Sequence, residues 1–125
     1  MLSQLVRRLR AEYSFPVAQA SVLSRLHREG AQTTSALAAA ERVRPQSVAQ
    51  TLAELETASL IARRPDPADG RRVLIELTAD GRERVLEARG RREDWLAAAI
   101  AAELSVEEQQ TLLAAVPLLR RLAGR

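Results

Sequence analysis

Apolar side chains recur at helical spacing through most of this chain. Leu2, Leu5, Val6 and Leu9 mark a first helix that ends near Glu12–Tyr13. Ser14 and Pro16 restart the chain, the serine suited to an N-cap and the proline to the early helix. Val22, Leu23 and Leu26 give a second helix its apolar face, and Gly30 stops it. Thr33 or Thr34 caps a short third helix, Ser35 to about Glu41, built on Leu37 and alanines. After the tight connection Arg42-Val43-Arg44, Pro45 opens a fourth helix to about Ser59, with Val48, Leu52 and Leu55 on one stripe.

The pattern then changes period. Leu60-Ile61-Ala62 and Val73–Leu77 read as two strands of a hairpin around the Pro/Gly/Asp loop Pro65-Asp66-Pro67-Ala68-Asp69-Gly70. Thr78–Gly81 starts a long fifth helix, and Ser105-Val106-Glu107-Glu108 is a capping box for a last one. That last helix carries Leu112, Leu113, Val116, Leu118, Leu119 and Leu122, and Pro117 should kink it or forfeit the bond to Leu113. The order is three helices, a hairpin and two longer helices. The expected fold is mainly α, a winged helix-turn-helix with a two-stranded wing and flanking helices. Such an architecture lays one helix in the DNA major groove with the hairpin beside it.

The polar positions fit that use. The apolar stripe of the fourth helix leaves Gln46, Ser47, Gln50, Thr51 and Glu54 largely on its outer side. Glutamine can pair with an adenine edge, while serine and threonine suit phosphates or bases. Glu54 reads as a surface or structural charge, since a carboxylate near phosphates is unfavourable unless it accepts from cytosine. Thr33, Thr34 and Ser35 are first of all caps of the third helix, with phosphate contact as a second duty. Arg63, Arg64, Arg71 and Arg72 lie on and beside the hairpin loop. Their guanidinium groups suit a narrow, negatively charged groove.

Composition adds exclusions. The 125 residues, 46% apolar and 28% charged, are those of one domain with its own core. No apolar run approaches a membrane span and no secretory segment follows Met1, so a cytoplasmic location is expected. Cysteine is absent, which excludes disulfides and thiolate metal sites. His27 is the only histidine and reads as a locally bonded surface residue. No phosphate loop or catalytic set is present, so neither an enzyme, a metal nor a cofactor is expected. All 19 basic residues are arginine, and the net charge is only +3. The basic residues cluster at 63–72 and 82–92, however, as a polyanion-binding face requires. Arg89, Arg91 and Arg92 read as a hydrated helix face, and Trp95 as dimer core.

The chain resembles the MarR family of bacterial transcriptional regulators over roughly residues 16–85. The resemblance is carried by Arg44-Pro45-Gln46-Ser47-Val48, by Leu52-(x)2-Leu55-(x)4-Leu60-Ile61, and above all by Asp66-Pro67-Ala68-Asp69-Gly70-Arg71-(x)5-Leu77-Thr78-(x)2-Gly81. It implies a homodimer on a short palindromic operator, usually a repressor released by a ligand or oxidant. It also implies that the fourth helix reads the major groove and that Arg71, oriented by Asp69, enters the flanking minor groove. The division implied is one domain, 1–125, with the winged helix at about 16–80 and dimerisation helices at about 1–14 and 81–125. The stretch before Ser14 is short for the family, which implies either a less extensively clasped dimer or a true start further upstream. Aromatics are scarce, so a pocket for stacked aromatic effectors is not expected, although a small-molecule effector of another kind fits the family. The expected DNA contacts are Thr34, Ser35, Arg44, Gln46, Ser47, Gln50, Thr51, Asp69, Arg71 and Arg72. The competing reading is a winged helix used only for dimerisation or protein docking. An arginine-tipped wing argues against it, because docking has no need of one.

Overall fold

A computed structural model describes residues 2–11 and 15–124. The elements are α1 (Leu2–Arg10), α2 (Val17–Glu29), β1 (Gln32–Thr33), α3 (Thr34–Glu41), α4 (Pro45–Thr57), β2 (Ile61–Pro65), β3 (Val73–Leu77), α5 (Ala79–Glu103) and α6 (Val106–Ala123). The fold is the expected mainly α winged helix-turn-helix. No helix among the described residues is long and apolar enough to cross a membrane.

Several local expectations are corrected. Pro16 is not in the first turn of α2 but stands just before it, at φ −53° and ψ 150°, and the expected Ser14 cap lies outside the described residues. Of the two caps expected for α3, Thr33 is the one used, its hydroxyl accepting from the Ala36 N–H at 3.1 Å, and the helix starts one residue earlier than expected, at Thr34. α4 stops at Thr57, because Ser59 turns to φ 63°. β2 begins one residue later than expected and runs through both arginines to Pro65. The hairpin is also not alone: β1 pairs with β3, giving an antiparallel sheet in the order β1-β3-β2. One expectation needs no correction: α6 runs from Val106 to Ala123 with Pro117 inside it, where proline has no N–H for the Leu113 carbonyl.

The core is one cluster. Leu23 and Leu26 of α2, Leu37 of α3, Val48, Leu52 and Leu55 of α4, and Ile75 of β3 are withdrawn from water. α4 contributes the stripe its sequence promised, and β3 contributes only Ile75 to the buried set, because Val73 is exposed and Leu77 half-buried.

The motif Leu77-Thr78-(x)2-Gly81 forms the corner where the wing returns to the helices. Thr78 donates its N–H to the Leu60 carbonyl at 3.1 Å and its hydroxyl to the Ser59 carbonyl at 2.7 Å. The same hydroxyl accepts the Gly81 N–H at 3.0 Å and so caps α5. At Gly81 the two segments cross so closely that a Cβ would overlap the Leu60 carbonyl oxygen. That oxygen is backbone and cannot swing aside.

Two predictions follow from these ends. Gly81→Ala forces the corner apart and should cost roughly 1–3 kcal/mol, the usual toll of overpacking, measured by denaturant unfolding. An unchanged midpoint would mean that the crossing is slack. The second concerns α6, where Ser105 and Glu108 form a complete capping box. The Ser105 N–H, and then its hydroxyl, hold the Glu108 carboxyl below the usual carboxylate range. Folding therefore favours the ionised form. Its stabilisation is complete above the unfolded-state pKa and is lost as pH falls through the lower folded value. Melting curves taken from about pH 6 to about pH 3 should show the wild type losing more stability than Glu108→Gln. Parallel losses would show that the box contributes nothing.

Candidate nucleic-acid interface

Because Val48, Leu52 and Leu55 must face the core, the rest of α4 is turned outward. Pro45 occupies its first turn and Arg44 its N-cap position, in extended backbone without a side-chain cap bond. Arg44, Gln46, Ser47 and Gln50 are exposed and Thr51 is half-buried. The Thr51 hydroxyl donates to the Ser47 carbonyl at 3.2 Å, so toward a ligand it is an acceptor rather than a donor. Glu54 proves structural: the Gln19 side-chain amide donates to its Oε2 at 2.7 Å.

The four arginines of the wing are not equivalent. Arg63 and Arg64 lie within β2 and contact acids, Nε to Glu56 Oε2 at 3.1 Å and Nε to Glu76 Oε2 at 2.8 Å. Arg71 and Arg72 remain at the tip. There the loop is closed by the Asp66 N–H to the Arg72 carbonyl at 3.0 Å and by the Arg72 N–H to the Asp69 carbonyl at 2.9 Å. Asp69 Oδ1 accepts the Arg71 backbone N–H at 3.1 Å and faces its Nε at 3.4 Å, and Oδ2 lies 3.9 Å from Arg72 Nε. Asp69 is 38% exposed and Arg71 93%. A pair so open adds little stability. Its effect is directional, since contact through Nε leaves the Nη donors outside the pair.

β1, too short to show any periodicity, has a consequence for this surface. Pairing Thr33 with Leu74 brings the start of α3 against the base of the wing. Thr33, Thr34, Ser35, Arg72 and Val73 line one concavity of about 340 Å³. A helix N-terminus, hydroxyls and a guanidinium converge there, a donor set that suits a phosphate. The structure thus gathers the expected residues into three groups: Thr34, Ser35 and Arg72 in this concavity, Asp69 with Arg71 at the wing tip, and Arg44, Gln46, Ser47, Gln50 and Thr51 on α4.

Two further hollows were not foreseen. An apolar groove of about 410 Å³ runs beside α4, lined by Val17, Val22, Val43 and Val48 and edged by Ser47 and Thr51. A cleft of about 430 Å³ lies among α1, α2 and α5, where Arg10, Ser24, Arg28 and Arg92 surround Phe15 and Val85. The Arg84 guanidinium sits 4.9 Å from the Phe15 ring centre. The signal for this cleft was the arginine-rich centre of α5, read from sequence as a hydrated face.

Residues 15–73 match the sequence profile of the MarR family. An uncharacterised HTH-type transcriptional regulator of Mycobacterium bovis is 40% identical over 128 residues, covering 97% of this chain and 89% of that protein. Another, from Mycobacterium leprae, is 42% identical over 102 residues, 76% of this chain and 71% of its own length. The chain belongs to the MarR family. Solved structures agree with this. A Pseudomonas aeruginosa protein assigned to transcriptional regulation superposes with a TM-score of 0.86 at 38% identity, covering 99% of this chain and 88% of that one. A Mycobacterium tuberculosis structure matches with a TM-score of 0.88 at 25% identity, with 99% and 88% covered. This MarR-family chain is therefore a DNA-binding transcriptional regulator and not an enzyme.

Proposed function

We propose that this regulator binds a palindromic operator as a homodimer and represses by occupying it, in the cytoplasm where that DNA lies. The observation that carries the reading is the wing tip, where Asp69 orients an Arg71 side chain that is 93% exposed. An oriented arginine loses less entropy on docking, and a narrow A·T-rich minor groove attracts it without base-by-base reading. Gln46 and Gln50 supply base contacts from α4, Thr34, Ser35, Arg44 and Arg72 supply phosphate contacts, Ser47 supplies either, and Thr51, whose hydroxyl is left as an acceptor, meets a donor on a base edge.

The dimer rests on uncovered apolar surface. α6 buries none of its residues, and Leu113, Leu118, Leu119 and Leu122 are exposed, as are Leu2, Leu5 and Val6 of α1. Such surface calls for a cover, and a second copy offers the same face in return. In this reading 16–80 is the DNA-reading part, and 1–14 with 81–125 forms the interface. The cleft beside Phe15 suits a small anionic effector, since Arg10, Arg28, Arg89 and Arg92 line it, and Arg84 lies over the Phe15 ring.

The protein should sediment as a dimer at micromolar concentration, and a stable monomer there would remove the palindrome. With about four to six phosphates neutralised per dimer, log K against log[salt] should slope at roughly −4 to −5. Arg71→Ala should weaken operator binding by roughly 1–3 kcal/mol with folding and dimerisation intact. Wild-type affinity in a well-folded Arg71→Ala dimer would defeat the minor-groove role. A merely structural Asp69–Arg71 pair would instead show itself as a lowered melting temperature.

A further inference from the structure

Glu41 is an acid where electrostatics disfavours one. It ends α3, at the negative end of the helix dipole, immediately before the turn that leads into α4. The turn itself is tight. Arg42 adopts φ 57° and ψ 41°, its N–H donates to the Ala39 carbonyl at 3.2 Å, and the Val43 N–H donates to the Ala38 carbonyl at 3.1 Å. Whatever holds Glu41 therefore holds the point from which α4 departs.

Two side chains of α2 hold it. The Ser21 hydroxyl donates to Glu41 Oε2 at 3.0 Å, and Arg25 Nη2 reaches the same oxygen at 3.4 Å and the Ala40 carbonyl at 3.5 Å. Arg25 is steadied in turn by Glu29, at 3.2 Å from Nη1. The grip is largely screened from water, with the two side chains 20% and 14% exposed. It is a poor device for stability, since Arg25 Nε and Glu41 Oε1 are buried with no hydrogen-bond partner among the described residues. A buried pair left partly unsatisfied gains little over well-packed apolar side chains. Gln19, also on α2, donates to Glu54, further along α4, at 2.7 Å. α2 thus grips the reading helix at two points, one before its start and one in its last turns, while the apolar stripe between them supplies the adhesion.

We infer that Ser21, Arg25 and Glu41 are positioning residues, which set the angle at which α4 presents Gln46 and Gln50 and so decide discrimination without touching DNA. The apolar stripe fixes which face of α4 is turned outward, and hydrogen-bonded groups at fixed distances set its angle more finely than non-directional apolar contact does. The inference rests on the operator reading above.

The test compares the full-length protein with Arg25→Met/Glu41→Leu, a pair of changes that leaves net charge unaltered. Each is titrated, at one salt concentration, with an operator duplex selected from a random pool and with a scrambled duplex of equal length. The double variant should keep its melting temperature and its affinity for the scrambled duplex. Its preference for the operator should fall about tenfold or more, the scale of one lost base-pair match. Glu41→Gln, which can still accept from Ser21, should lose less. Should the double variant not fold, Ser21→Ala removes one arm of the grip from an exposed position and should also lower the preference at unchanged melting temperature. Wild-type preference in a folded double variant, or in Ser21→Ala, overturns the inference, as does a loss that merely tracks unfolding. A wild-type protein that cannot tell the two duplexes apart overturns the operator reading itself, and the grip with it.

Discussion

Leu23, Leu37, Leu52, Leu55 and Ile75 are removed almost wholly from water, and they come from α2, α3, α4 and β3. Burying each is worth about 1.5–3 kcal/mol, more than any surface contact in the molecule. Their common burial ties three helices to the sheet and dictates what each can show to solvent. α4 has one apolar stripe and one core to bury it in, so its glutamines are presented outward as a by-product. The wing is located the same way, because Ile75 anchors β3 from beneath while the loop beyond Val73 has nothing to bury.

On this frame charge is distributed by occupation. Arg25, Arg63, Arg64 and Arg89 each face a glutamate within the chain. Arg71 faces an aspartate but keeps almost its whole side chain in solvent. A net charge of +3 therefore understates how the protein meets a polyanion. In the operator reading proposed above, what counts at the contact is local: a guanidinium already turned outward, and a helix start whose hydroxyls stand beside Arg72.

The parts legible in the sequence were those written in short-range pattern. Pro45 with the stripe Val48-Leu52-Leu55 announced α4, and the loop Asp66–Gly70 announced the wing and the partnership of Asp69 with Arg71. β1 was illegible because two residues carry no period, and only β3, far along the chain, makes them a strand. The extent of β2 was hidden because Arg63 and Arg64 look like loop until Glu56 and Glu76 are brought beside them. The acids that steer α4 were the hardest to see. Glu54 meets Gln19 across 35 positions and Glu41 meets Ser21 across 20, distances over which side-chain patterning carries no information. The cleft stayed hidden for the same reason, since Arg10, Arg28 and Arg92 converge only when three helices do.

The corner at Gly81 has a mechanical consequence. With no room for a side chain between α5 and the Leu60 carbonyl, and with Thr78 bonded to both Ser59 and Leu60, the base of the wing and the start of α5 move as one body. α5 has 25 residues and so extends roughly 37 Å from that weld. It is a lever arm. A rotation of about a tenth of a radian at its far end sweeps the wing root through roughly 4 Å, close to the rise of one base pair along DNA.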